Sequence, residues 1–249
     1  MKENHFIDYS RCFLSLELSS FCNLSCDFCS QHNHAIRDKS FMQFSLFRRI
    51  IDELAEKQLT LKSINPFFRG ESLLHPDFCA MLDYIYEKSS VKPVAEYIVL
   101  HTNGLLFDND KIESLLRVSD QKRLPHPGNL ILSMDAATEK TYRLIRKGEF
   151  GILVGNIRAL LERRRELSQW GPNVVFQFIV MEDNYTEVKE FESLIRSLCT
   201  QSGHKEPVVR FSPDNQPLEF TGDTIYFRMQ EADPCRQEQL RELYLRVKG

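Results

Sequence analysis

No apolar run in this 249-residue sequence approaches the roughly 18 to 20 residues that a membrane-spanning helix needs, so no transmembrane segment is expected. The N-terminus, MKENHFIDYSRCF, lacks both the uninterrupted apolar stretch and the small-residue cleavage site of a secretory signal, and a cytoplasmic location is the expectation. An excess of one charge is missing as well. With 32 Lys and Arg against 35 Asp and Glu, the formal net charge of -3 offers phosphate backbones no attraction, which excludes nucleic acid as an expected partner. The one basic run, Arg163-Arg164-Arg165, lies inside LLERRREL and reads as the solvated face of a helix. There is also no second Cys-x-x-Cys pair, so a zinc site with the usual paired ligand spacing has only half its pattern.

What is present begins with a core, since 42% hydrophobic residues suffice for one large domain. Short β-branched or aromatic runs alternate with longer amphipathic stretches along nearly the whole chain. Strands are expected at 13–19, 61–68, 94–102, 129–135, 173–181 and 207–211, and helices at 43–57, 77–88, 109–118, 151–168 and 186–199, with Asn109 and Thr186 as caps. This repetition predicts an α/β fold with a parallel sheet and helices outside it. A full eight-unit barrel takes about 250 residues. Six units finishing near residue 211 fit a partial, three-quarter TIM-type barrel, followed by a C-terminal extension over 212–249 that starts as loop (SPDNQPLEFTGD) and ends in a helix at 231–247.

Seven cysteines are an odd number, and in a reducing cytoplasm they point to metal ligation or burial rather than to a disulfide framework. Cys22, Cys26 and Cys29 crowd into one loop directly after the first strand, where an α/β barrel places its active site. Thiolates are soft ligands that select iron–sulfur clusters or zinc, and three in one loop clamp three corners of a cubane while leaving its fourth iron open. Zinc would need a fourth ligand, for which His32 or His34 is the nearest choice. Cys12, Cys79 and Cys199 read as buried small hydrophobes on a strand and two helices. Polar groups recur at the ends of the expected strands: Arg69-Gly70-Glu71 after the second, His101-Thr102-Asn103-Gly104 at the third, Ser133-Met134-Asp135 at the fourth. A barrel brings such groups to one mouth. Taken singly each has a plainer alternative: Gly70 making a turn, Asp135 capping a helix, Arg146 pairing with Glu149 in solvent.

The run CNLSCDFC, with Phe28 before the last cysteine, resembles the Cys-x-x-x-Cys-x-x-Cys signature of the radical S-adenosylmethionine superfamily. Arg69-Gly70-Glu71 is similar to that family's Gly-Gly-Glu motif, with Arg69 replacing the first glycine. The likeness spans about residues 13 to 211 and implies a [4Fe-4S] cluster on Cys22, Cys26 and Cys29, with S-adenosylmethionine as the second cofactor. It implies that Gly70 and Glu71 receive the methionine amino group and that Ser133 and Arg146 hold the carboxylate. Thr102, Asn103 and Asp135 belong to the same pocket, and Val180 and Met181, in QFIVM, pack against adenine. The implied chemistry is reductive cleavage to a 5′-deoxyadenosyl radical that takes hydrogen from a peptide or small metabolite, with flavodoxin or ferredoxin as electron donor. Asp233-Pro234-Cys235 resembles the opening of the cysteine-rich, SPASM-type domain of some family members, yet no cysteine follows it, which suggests a shortened relative or a partner protein that supplies the remainder. Substrate contacts are expected within 203–222. Two other readings stand beside this one: a barrel that binds S-adenosylmethionine or a partner without turnover, and a zinc-stabilised binding module.

Overall fold

The strand segments carry Val, Ile, Leu and Phe on both faces, as a parallel sheet covered on each side requires. The computed structural model, which describes residues 8–29, 38–167, 171–212, 220–230 and 234–248, assembles them that way. Its strands are β1 (Phe13–Ser15), β2 (Leu61–Asn65), β3 (Ala95–Thr102), β4 (Asn129–Ser133), β5 (Asn173–Val180), β6 (Val208–Ser212) and β7 (Thr224–Met229). They form one sheet in the order β1-β2-β3-β4-β5-β7-β6, with every neighbouring pair parallel. The sheet is open between its edges β1 and β6, which makes the fold a partial TIM-type barrel.

The helices are α1 (Phe44–Glu56), α2 (Phe78–Lys88), α3 (Asn109–Val118), α4 (Glu139–Arg146), α5 (Phe150–Glu166), α6 (Val188–Gln201) and α7 (Pro234–Lys248). Each long helix that follows a strand buries one stripe against the sheet: Phe47, Ile51 and Leu54 on α1, Val188, Phe191, Ile195 and Leu198 on α6. Phe178, Phe191, Phe211 and Phe227 stack into one aromatic layer with centroids 4.8 to 5.9 Å apart, and Tyr244 of α7 closes on Phe211. Among the described residues no helix is long and apolar enough to cross a membrane.

Several sequence expectations need correction. β1 stops at Ser15 rather than residue 19, and beyond it Ser19 bridges Phe41 in the antiparallel sense. The strand β7 and the helix α4 were not expected at all. β7 escaped because the link 213–223 is shorter than the dozen or so residues that a parallel crossover usually takes. β7 inserts between β5 and β6, so the sheet continues past residue 211. The caps move as well: Asp108, not Asn109, caps α3 through the Lys111 amide, and a 3₁₀ turn at Tyr185–Glu187 precedes α6. Arg164 is not solvated. It is 5% exposed and grips Asp223 with both terminal nitrogens, while Asp223 also accepts from the Val174 amide. Cys199 is buried, but Cys79 and Cys12 are only half-buried, and Cys12 lies before β1 rather than on a strand. His32, His34, the loop residues 213–219 and the Cys235 side chain lie outside the described residues.

Candidate functional site

The C-terminal strand ends surround a cavity of about 360 Å³. Cys22, Cys26 and Cys29 line it from the loop after β1, Gly70 and Glu71 from the loop after β2, and Thr102 and Asn103 from the end of β3. Ser133, Arg146, Gln177, Ile179 and Arg228 line it as well, with Leu24, Phe28, Phe67, Phe68, Arg69 and His101 between them.

The cysteine loop is held from several directions. The Asn103 side-chain amide donates to Asn23 Oδ1 at 2.8 Å, the Asp27 amide donates to the Ile145 carbonyl at 3.3 Å, and Lys147 Nζ reaches Asp27 at 2.7 Å. Lys147 closes α4 in the left-handed region, at φ 61°, which lets the helix end present its last carbonyls to the loop. The Cys26 thiol contacts the Arg146 carbonyl at 3.7 Å. Burial pushes the Cys22 thiol up to about 11 and also raises Cys26, despite the Arg146 guanidinium beside the latter.

Gly70 sets the distance between this loop and β2. A Cβ at this position would lie 2.0 Å from the Ser19 carbonyl oxygen and 2.7 Å from that of Phe21, so the chain leading into Cys22 lies directly on the glycine. The Arg69 and Gly70 amides donate to Glu17 at 3.0 and 3.3 Å. Gly70→Ala is expected to lower stability by about 2 kcal/mol and to reduce metal loading, as denaturant unfolding and iron assay would report.

Glu71 is 3% exposed, and burial raises its carboxyl pKa, opposed by three donors. Thr102 Oγ1 at 2.7 Å and the Leu73 amide at 3.1 Å meet Oε1, and the Asn103 amide at 2.9 Å meets Oε2. Asp135 is fully buried at φ 59°, a left-handed conformation that a short polar side chain tolerates by bonding locally. Its Oδ2 pairs with Arg146 Nη2, its Oδ1 accepts from the Ile179 amide at 2.6 Å, and its carbonyl accepts from Asn184 at 2.9 Å. Arg146 extends from this anchor over the Phe28 ring, 5.2 Å from its centroid, and Nη1 lies 3.8 Å from Cys26 Sγ. Its Nε is buried with no hydrogen-bond partner among the described residues. Ser133 Oγ meets His101 Nε2 at 2.7 Å; burial first, then the positive charges of Arg146 and Arg228, push His101 down to about 3, so the ring is neutral.

The family model described as the Radical SAM superfamily matches residues 16–197, a span that contains the cysteine loop, Gly70, Glu71 and Arg146. The chain belongs to this superfamily. A curated relative is the tungsten-containing aldehyde ferredoxin oxidoreductase cofactor-modifying protein of Pyrococcus furiosus, 27% identical over 188 residues that cover 75% of this chain and 48% of that protein. Another is the S-adenosylmethionine-dependent nucleotide dehydratase of Selenomonas ruminantium, 31% identical over 99 residues, 40% of this chain and 32% of that protein. The chain thus spans half or less of the length of these curated relatives. Among solved structures, Streptococcus suis SuiB bound to S-adenosylmethionine superposes with a TM-score of 0.58 at 16% identity, covering 96% of this chain and 48% of SuiB. Native anSMEcpe with bound AdoMet and the Cp18Cys peptide gives 0.54 at 19% identity, covering 75% and 48%. At these identities the likeness is one of fold.

Membership of the radical SAM superfamily implies a [4Fe-4S] cluster and S-adenosylmethionine. The donor set fits that pair: three free thiols line one cavity, soft ligands suited to iron–sulfur, beside a buried guanidinium with an unpartnered nitrogen. Of the residues read from sequence, Gly70, Glu71, Thr102, Asn103, Ser133 and Arg146 line this cavity together with the three cysteines. Asp135 stands outside the lining, its carboxylate committed to Arg146 and Ile179. Val180 and Met181 are buried and also outside it, while Gln177 and Ile179 face in. Sequence reading assigned no role to Arg228, because the strand that carries it went unread.

Proposed function

We propose that this chain is a catalytically active radical SAM core whose cysteine loop holds one [4Fe-4S] cluster. The meeting of Cys22, Cys26, Cys29, Glu71 and Arg146 in one cavity carries this reading. When bound, the cluster supplies the electron that splits S-adenosylmethionine into methionine and a 5′-deoxyadenosyl radical. Glu71 takes the methionine ammonium, and its three donors keep the carboxylate aimed rather than free to rotate. Ser133 and Arg146 take the carboxylate, with Asp135 as the positioning residue that holds the guanidinium. Ile179 offers apolar surface to adenine, and Thr102 and Asn103 brace Glu71.

The substrate class is a peptide or small metabolite. SuiB has been solved with its precursor peptide SuiA, and anSMEcpe with the Cp18Cys peptide. A flavodoxin or ferredoxin of the cytoplasm is the proposed electron donor. Anaerobic reconstitution should give about four iron and four sulfide per chain, and Cys235→Ala should leave that count alone. One zinc and no sulfide would instead favour a zinc-stabilised module.

A further inference from the structure

Three neighbouring strands aim polar side chains at one face of the sheet. In the β3–β4 ladder His101 pairs with Ile131, and in the β4–β5 ladder Ser133 pairs with Gln177. Residues two apart on a strand share a face, so His101, Ser133 and Gln177 come to the same side, where all three line the cavity. Ser133 Oγ stands 2.7 Å from His101 Nε2, and the Gln177 side-chain amide lies 3.4 Å from the same nitrogen. Phe67 packs on the imidazole at a centroid distance of 5.5 Å and an interplanar angle of 80°, which fixes the plane of the ring.

Burial and the charges of Arg146 and Arg228 keep His101 neutral, so its ring has one N–H to place. A serine hydroxyl also has one proton, and the pair can therefore be joined in two ways. With the ring proton on Nδ1, Nε2 accepts the hydroxyl proton, and Ser133 turns only lone pairs toward the cavity, which repel an anion. With the ring proton on Nε2, the imidazole donates to Oγ and the hydroxyl proton is left to donate elsewhere. The proposed function gives Ser133 to the carboxylate of S-adenosylmethionine, an acceptor with no proton of its own, and only the second arrangement serves it. Gln177 is compatible with that arrangement, because its amide oxygen can face an N–H as readily as its nitrogen can face a lone pair.

We propose that His101 is a positioning residue for the cofactor: its Nε2–H donates to Ser133 Oγ and thereby aims the hydroxyl proton at the carboxylate of S-adenosylmethionine. This rests on the reading that S-adenosylmethionine occupies the cavity with its carboxylate at Ser133 and Arg146. Arg146 then supplies the charge that attracts the carboxylate, and the His101–Ser133 pair supplies a directed hydrogen bond to it.

The test compares two ligands on the reconstituted, unreduced full chain by equilibrium dialysis: S-adenosylmethionine, and its decarboxylated analogue, which keeps the amine, the sulfonium and the adenosine. Wild type should prefer the first. His101→Phe, similar in size but without an N–H, should weaken S-adenosylmethionine at least about tenfold and leave the analogue within about twofold of wild type. His101→Gln, whose amide reaches the level of Nε2, should bring S-adenosylmethionine back to within about threefold of wild type. Ser133→Ala should show the same selective loss, and adding His101→Phe to it should lower binding little further, since the two residues act through one bond. Unchanged preference in a folded His101→Phe, or an equal loss for both ligands, overturns the positioning role while the cofactor reading stands. Should His101→Phe not fold, His101→Asn takes its place, because its amide stops at the level of Nδ1 and leaves Ser133 unserved; a lost preference supports the role and a kept one overturns it. Heteronuclear NMR of the ring-labelled wild type should place the proton on Nε2, and a proton on Nδ1 overturns the donation whichever variants fold. A wild-type chain that binds no S-adenosylmethionine overturns the cofactor reading and the positioning role with it.

Discussion

Cys26→Ala should abolish the brown cluster absorbance and all cleavage of S-adenosylmethionine, and alanine at Cys22 or Cys29 should do the same. A cubane on this loop would have three protein ligands, and two thiolates would hold it poorly. Iron should fall from about four per chain to well under one. Loss of the fold is not the cause, because Cys26 is a small side chain whose removal from a site 7% exposed costs on the order of 1 kcal/mol. Far-ultraviolet circular dichroism should match wild type. A single mutant that keeps full iron and activity would remove its cysteine from the ligand set.

Arg146→Ala should lower stability by about 3 to 5 kcal/mol and also weaken S-adenosylmethionine binding, two effects with separable causes. The first arises because Asp135, fully buried in a left-handed conformation, loses the cation that balances it. The second follows from the proposed role of Arg146, which lines the cavity, as the partner of the carboxylate. The double variant Arg146→Met with Asp135→Asn removes both charges, so it should recover much of the stability while binding stays weak. Denaturant unfolding and equilibrium dialysis read the two effects. Wild-type binding by Arg146→Ala would contradict its assigned role, and no recovery in the double variant would contradict the buried-pair account.

The cysteine loop was legible because its chemistry is local: three thiols in eight residues need no tertiary information. The same holds for Gly70 and Glu71, although the reason for the glycine is not local. Its neighbours are the carbonyls of Ser19 and Phe21, far back in the chain. Arg164 looked like one of three solvated arginines because the residue that buries it, Asp223, comes 59 positions later. α4 was invisible as a helix of eight residues rich in charge, identified in the fold by its Thr138 cap and by Tyr142 and Ile145 turned inward. The end of β5 shows the sensitivity of strands to register: a shift of one residue exchanges faces, so Val180 is buried outside the cavity while Ile179 lines it. Arg228 was lost with β7 for a related reason, since counting strand–helix units passes over a strand that no long crossover precedes.

The central claim is that this chain, through its cysteine loop and the Glu71–Arg146 cavity, cleaves S-adenosylmethionine by reduction. The most direct measurement is chromatographic detection of 5′-deoxyadenosine after anaerobic incubation of the reconstituted chain with S-adenosylmethionine and dithionite. The account predicts steady release of 5′-deoxyadenosine and methionine from wild type and none from Cys26→Ala. A chain that holds about four iron and binds S-adenosylmethionine, yet releases no 5′-deoxyadenosine, would contradict it and leave a barrel that binds without turnover.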